Sequence, residues 1–352
     1  MTYPSTQQAI VVNDAENGVT VATVPVPELN AGEVLVRVAY ASQNPTDWKH
    51  VQYIAAAGDR LGCDFAGVVA SSTDPGVKIG DRVAGWVHGG KYKDKGAFAQ
   101  YVTTDAKLVW HVPDSLPLDQ AATFTAPFLT AVQTLIQTQH RPWPPASEGG
   151  WIFIYGGSSG VGLFAIQVAK LQGYKVVTVA SPHNFDLVKS YGADEVFDYH
   201  DAKAAVDNVR RVTGGGVAVA LDTISLPESQ AISVQTFGEG GGQLNVILGI
   251  DAAAAALRPD VKFVYTLLYT WFGKELDYRR RGSDTAAIIP ASKADYEWHV
   301  ESLRRLADLV SKHGVRAPPL VIRGGLEDIA AGLDEMRAGK VSGQRLVYKI
   351  GE

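Results

Sequence analysis

A chain of 352 residues is long for one hydrophobic core and suits two domains of common size. With 46% apolar and 20% charged residues it matches a folded globular protein and excludes a disordered or fibrous one. A net charge of -5 without a basic stripe excludes a footprint for nucleic acid or an anionic membrane, and the one basic run, Arg279-Arg280-Arg281 before Gly282, reads as a solvated loop.

Cys63 is the single cysteine, so neither an internal disulfide nor a thiolate cluster for structural zinc is available. The first residues, "MTYPSTQQAIVVNDAE", carry no basic stretch followed by an apolar core. No segment approaches the roughly 18 consecutive apolar residues of a spanning helix. These features predict a cytoplasmic protein.

Residues 8–110 alternate valine-rich runs with Gly, Asp, Asn and Pro: "AIVVN", "VTVATVPV", "GEVLVRVAYA", "FAGVVASS", "DRVAGWV", "AFAQYVTT" and "KLVWHVP". Such spacing predicts short, largely antiparallel strands in a barrel-like module. The period turns helical from Leu118 to Gln139, with Ser115 or Asp119 as the cap, and "HRPWPPASEGG" then reads as a loop.

From Trp151 the pattern alternates strand and helix. "WIFIYGG", "KVVTVAS", "EVFDY", "VAVALDTI" and "QLNVILGI" are apolar runs joined by amphipathic crossovers, which predicts a doubly wound parallel sheet. A helix is expected over Ala294 to His313, ending at Gly314. The tail then reads strand, helix, strand and is expected to rejoin the first module.

The loop Gly156-Gly157-Ser158-Ser159-Gly160-Val161-Gly162 follows a strand and opens a helix. Small residues and free amides at a helix N-terminus suit a pyrophosphate, and a purely structural tight turn is the competing reading. A strict G-x-G-x-x-G would need glycine where Ser159 stands. The next strand ends at Ala180, where an acidic residue would bind the ribose 2′-hydroxyl of NADH. Ser181, His183 and Asn184 stand there instead. Their hydroxyl, imidazole and amide groups can donate to a 2′-phosphate that a carboxylate would repel, so NADPH is the expected cofactor. Tyr199 either adds a phenol donor or stacks on adenine, or is simply a surface tyrosine. Leu248, Gly249 and Thr223 lie where later strands of the sheet end, the position at which parallel sheets hold ligands.

Across essentially its whole length the chain resembles the medium-chain dehydrogenase/reductase superfamily. The likeness rests on "GEVLVRV", "NPTDWKH", "GCDFAGVV", "GDRVAGW", "GAFAQYV", "YGGSSGVG" and "GKVSGQRLVY". Within the superfamily, "NPTDWKH" and "SPHNFDLVKSYGADEVFDY" look most like fungal trans-acting enoyl reductases, partners of reducing polyketide synthases. The resemblance implies a GroES-like β-barrel catalytic domain over residues 1–125 and 314–352. It also implies a Rossmann cofactor-binding domain over 126–313, with the nicotinamide held in the cleft. Zinc members carry Gly-His-Glu where this chain has Gly62-Cys63-Asp64, and they have a four-cysteine lobe that is missing here. His50, His88 and His111 have no spacing that builds a tetrahedral site, so no metal is expected.

Without a Lewis acid, hydride addition to the β-carbon of a conjugated carbonyl is the compatible chemistry, with the enolate held by hydrogen-bond donors. The resemblance places Lys49 at the nicotinamide site as an orienting or charge-stabilising group. Thr130 matches a family position that contacts nicotinamide and substrate, or is a helix threonine bonding its own backbone. Tyr53 is a candidate α-proton donor by chemical type. Asn44 and Asp47 are read as fixing their loop. Trp271 and Phe272, in "KFVYTLLYTWFGKELDY", wall a substrate pocket, join a dimer strand or fill the core. The expected activity is NADPH-dependent reduction of an α,β-unsaturated thioester or related activated alkene, with a polyketide synthase as possible partner. A quinone oxidoreductase and a non-catalytic NADPH-binding protein are the alternatives. Monomer and homodimer both remain open.

Overall fold

The computed structural model describes residues 3–351 except 16, 17, 145, 148, 281, 282 and 284. Arg281 and Gly282 of the basic run therefore lie outside the described residues. The chain divides into two compact units: 1–126 with 269–352, and 127–268.

The first segment of unit 1 opens with the hairpin β1 (Thr6–Val12) and β2 (Val19–Pro25) and the long strand β3 (Glu33–Ser42). Helix α1 (Pro45–Tyr53) follows, then β4 (Asp64–Ser72), β5 (Arg82–Trp86), β6 (Tyr101–Asp105) and β7 (Val109–His111). The valine-rich runs thus form strands. Residues 45–53, expected as a loop fixed by Asn44 and Asp47, are instead a helix: Pro45 presets the first turn, Asn44 is the N-cap residue, and Asp47 Oδ2 accepts from the Asn44 backbone N–H at 2.7 Å. The helix expected over 118–139 is broken into α2 (Leu118–Ala121), capped by Pro117 rather than Ser115 or Asp119, and α3 (Thr125–Val132). A π-helical turn over Gln133–Gln137 continues from it.

Unit 2 is a parallel Rossmann sheet. Its elements are β8 (Trp151–Tyr155), α4 (Gly160–Leu171), β9 (Lys175–Val179), α5 (Phe185–Ser190), β10 (Glu195–Phe197), α6 (Ala202–Thr213), β11 (Val219–Asp222), α7 (Pro227–Gln235), β12 (Gly242–Val246), α8 (Ala252–Ala256) and β13 (Val261–Tyr265). The strand order β10-β9-β8-β11-β12-β13 reverses between β8 and β11, so the crevice for a ligand opens at the carboxyl ends of those two strands. Phe153, Val177, Val179, Ala220, Leu244 and Val246 are buried in its core, as continuous apolar runs require.

The chain returns to unit 1 with β14 (Leu276–Arg279), β15 (Ala286–Ile289), α9 (Lys293–His313), β16 (Leu320–Arg323), α10 (Ile329–Arg337) and β17 (Arg345–Lys349). β17 pairs with β3, completing a seven-stranded sheet of order β16-β17-β3-β4-β5-β7 in which β6 also pairs with β3. Residues 269–313, expected with the Rossmann domain, group with unit 1 in this division. Buried groups explain the grouping: His299 of α9 accepts the Trp86 indole N–H at 2.9 Å and its Nδ1 meets the Trp271 carbonyl at 3.2 Å.

Candidate functional site

In unit 2 the glycine loop sits at the sheet's reversal point. Gly156 has φ +76°, and a Cβ on Gly157 or Gly162 would collide with Thr178 Oγ1 or with the Gly156 carbonyl. The backbone is thus packed closer to its neighbours than any side chain permits. Ser159 stands where the strict motif has glycine because it caps α4: its Oγ accepts the Gly162 N–H at 2.9 Å and lies 2.9 Å from Thr223 Oγ1. Thr223 donates to the Tyr155 carbonyl at 2.8 Å, so the ends of β8 and β11 are joined. Gly160 and Val161 form the first turn of α4, partly exposed. This cradle of small residues at a helix N-terminus fits a pyrophosphate.

At the end of β9 the expected residues fall into two pairs. The buried Asn184 donates to Ser158 Oγ at 3.3 Å and lies 3.2 Å from His183 Nε2, while His183 itself is exposed. Ser181 Oγ lies 3.2 Å from the Tyr199 hydroxyl, and the Tyr199 ring stacks on His200 at 4.3 Å. Leu248 is half-buried and Gly249 exposed after β12. Two residues organise the ends of these strands, and of them Gln230 escaped the sequence reading. Gln230 of α7 holds this bend by donating to the Gly249 carbonyl and accepting the Asp251 N–H, both at 2.9 Å. Asp222 accepts from the Ile224 and Ser225 N–H groups and from Ser229 Oγ, and burial raises its carboxyl to about 6.

In unit 1, α1 carries Lys49 half-buried, with its ammonium 5.6 Å from the centre of the Trp48 ring. Burial pushes the Lys49 ammonium below its ordinary value, and among the described residues it has no ion-pair partner. Tyr53, the last residue of α1, is 47% exposed. Thr130 lies in α3, half-buried, and its carbonyl accepts from Thr134 Oγ1 at 2.8 Å. Trp271 is fully enclosed, whereas Phe272 is half-buried and stacks on Trp86 at 4.3 Å.

Helix α1 rests on a buried polar network. Asp64 accepts from Asn44 Nδ2 at 2.9 Å and pairs with Arg345 at 3.3 Å, and both Asp64 and Arg345 are buried. Beside them burial raises the Asp47 carboxyl to about 7 and the Asp64 carboxyl to about 6, the latter against the pull of Arg345. Burial, with Asp47 nearby, pushes the Cys63 thiol well up, and its sulfur lies 3.6 Å from the Tyr269 hydroxyl. Tyr269 also meets Thr46 Oγ1 at 2.8 Å.

Over residues 30–114 the chain matches the family described as "Alcohol dehydrogenase GroES-like domain" and over 160–275 that described as "Zinc-binding dehydrogenase". It is 38% identical to the trans-enoyl reductase ACTTS2 of Alternaria alternata, over 98% of this chain and 99% of that protein. It is 34% identical to the trans-enoyl reductase resD of Aspergillus sclerotiorum, over 97% of this chain and 100% of that protein. The chain belongs to the trans-enoyl reductase family of medium-chain dehydrogenase/reductases. Solved structures share the fold: the CurK enoyl reductase at TM-score 0.77 and 20% identity over 98% of this chain and 99% of that one, and the quinone oxidoreductase of Coxiella burnetii at 0.74 and 23% over 98% and 100%.

Membership in this family makes the chain an oxidoreductase with a nicotinamide cofactor, and the glycine cradle fits one. The residues at the zinc motif are a poor donor set for a metal: burial pushes the Cys63 thiol up, away from the thiolate a metal needs, and Asp64 is committed to Arg345 and Asn44. Among the described residues no three His, Cys, Asp or Glu are grouped to hold an ion, and no helix is long and apolar enough to cross a membrane.

Proposed function

We propose that this trans-enoyl reductase family member uses NADPH to reduce the carbon-carbon double bond of an α,β-unsaturated thioester, without a metal, on chains presented by a polyketide synthase. The observation that carries the chemistry is Lys49: a half-buried ammonium with no ion-pair partner among the described residues, on the helix whose cap residue Asn44 is bonded to Asp64. NADPH when bound supplies a hydride.

The chain's own residues do the rest. Gly157, Ser159 and Gly162, whose amides are bonded to Val179, Gly156 and Ser159, shape the turn, and the amides of Ser158, Gly160 and Val161 take the pyrophosphate. Ser181, His183, Asn184 and Tyr199 offer donors and no negative charge to the 2′-phosphate. Thr223, Leu248 and Gly249 receive the nicotinamide end. Negative charge develops on the thioester oxygen during reduction, and a poorly hydrated ammonium such as Lys49 stabilises it more strongly than one in water. Thr130 orients the reacting groups, Phe272 contributes an apolar wall backed by Trp271, and Tyr53 is assigned the α-proton. Replacing Tyr53 with Phe is expected to lower kcat about 100-fold at unchanged NADPH affinity, and an unchanged kcat gives that step to water.

Lysines 91, 93 and 95 lie on a loop that reads as a solvated loop or as a basic patch for an acidic carrier protein. Lys91 donates to the Asp277 carbonyl at 2.6 Å and Lys95 pairs with Glu33 at 2.9 Å, so of the three only Lys93 lacks such a bond among the described residues. The test of function is NADPH and NADH consumption by chelator-treated protein with enoyl thioesters, simple enones and quinones. NADPH-linked turnover of thioesters supports the proposal. Turnover with quinones alone, or binding of NADPH without turnover, overturns it.

A further inference from the structure

The acid of Gly62-Cys63-Asp64 survives in a motif whose neighbours do not form a metal-binding set, and both of its oxygens are occupied within unit 1. Oδ1 accepts the Ala126 backbone N–H at 2.8 Å, in the first turn of α3. Oδ2 accepts from Asn44 Nδ2 at 2.9 Å and from Arg345 Nη2 at 3.3 Å. Arg345 donates in turn to Asn44 Oδ1 at 2.8 Å and to Ser42 Oγ at 2.9 Å. Ser42, Asn44, Asp64, Ala126 and Arg345 are all buried, so water does not replace a bond that is lost. One carboxylate therefore joins the end of β3, the cap of α1, the start of α3 and the strand β17.

We propose that Asp64 is a positioning residue that fixes the N-terminus of α1 and thereby the place of Lys49. The proposal rests on the role assigned above to Lys49. Asn44 is the residue on which α1 begins, and Lys49 follows within the next two turns. Helix α1 has nine residues, too few to hold its position by its own propensity, so its placement depends on what grips its ends. Arg345 opposes the burial that raises the Asp64 carboxyl and anchors it, and removing either partner leaves the other buried without its pair. A displacement of about 1 Å in a reacting group costs on the order of 100-fold in rate, which is the scale of effect such a grip controls.

Asp64→Asn tests this. The amide retains an oxygen for Ala126 but sets an NH2 against the donors of Asn44 and Arg345. The expected result is a fall in kcat for enoyl thioester of about 10- to 100-fold, with the KM for NADPH changed less than about threefold. Amide hydrogen exchange should accelerate in 44–53 and at Ala126 while β8 and α4 keep their protection. Val83→Ala, a core truncation in β5, serves as the control for mere destabilisation and should leave kcat unchanged. The proposal is overturned if Asp64→Asn retains full kcat, if exchange in 44–53 is unaltered, or if Val83→Ala lowers kcat equally. If Asp64→Asn does not fold, Asn44→Ala removes the bonds of the α1 cap to Asp64 and Arg345, leaves Asp64 with Ala126 and Arg345, and carries the same expectations. The exchange readout needs no substrate, so failure of the wild-type enzyme on thioesters refutes the proposed function and leaves the positioning claim to be decided by exchange.

Discussion

Lys49 shows how a residue's chemistry depends on its surroundings. The same side chain in water is a strongly hydrated point charge, whereas here burial weakens its hold on the proton and leaves its ammonium over the Trp48 ring. Replacing Lys49 with Ala should lower kcat by about 100-fold or more while the dissociation constant for NADPH, followed by nicotinamide fluorescence, stays within about threefold. Loss of NADPH binding would instead make Lys49 a cofactor ligand. At the β9 corner, Ser181→Asp brings a carboxylate to the corner proposed for the 2′-phosphate. It should raise the KM for NADPH at least about tenfold and leave that for NADH little changed, and equal effects on both would remove Ser181 from recognition. That the glycines, Ser181, Asn184 and Thr223 lie at strand ends was legible because each sits at a fixed offset from an apolar run. The Asp64–Arg345 pair was not, since 281 residues separate its members and no local pattern links them.

At the scale of elements, the proposed function makes the cap of α4 part of the cofactor cradle as well as of the fold. Ser159 both satisfies the Gly162 N–H and meets Thr223, so Ser159→Ala should cost about 1 kcal/mol of stability in chemical unfolding and weaken NADPH binding together. Stability lost without an effect on binding would reduce Ser159 to a cap. The alternation of apolar strands and amphipathic helices made unit 2 readable element by element, because parallel strands buried on both faces leave little else for such runs to be. Helix α1 was not read, since its nine residues hold Pro, Thr, Asp and Trp in no clear apolar period and its caps look like turn chemistry. The break between α2 and α3, and the π-helical turn after them, were likewise not read, although Pro127 in the first turn of α3 is a local signal for a helix start.

Over the whole molecule, buried titratable groups set opposing pH demands. Burial lowers His299 to about 3 and His50 to about 4, so both favour the neutral fold; their contribution is full above pH 6.5 and is lost as pH falls toward 4 and then 3. Asp47 has the reverse sign. Its carboxyl is raised from 3.8 to about 7, so its contribution is full below pH 3.8 and is lost as pH rises through 7. Asp47→Asn should therefore remove one contribution that falls as pH rises from about 4 to 7, so the thermal midpoint climbs more with pH across that window than in the wild type, while the raised Asp64 and Asp222 carboxyls keep the sign of Asp47 and the histidines the opposite one. An unchanged slope would show that Asp47 ionises freely in the fold. The grouping of residues 269–313 with unit 1 was hidden from the sequence for a related reason: the contacts that decide it, such as Trp86 with His299, are 213 residues apart and wholly buried.

The central claim, hydride delivery to a carbon-carbon double bond, is tested most directly by the fate of the label from NADPH deuterated at the transferring position of its nicotinamide. With an enoyl thioester as acceptor, the account predicts one deuterium at the β-carbon of a saturated thioester and a solvent-derived proton at the α-carbon. Deuterium at the carbonyl carbon, or none in any carbon of the product, would contradict it.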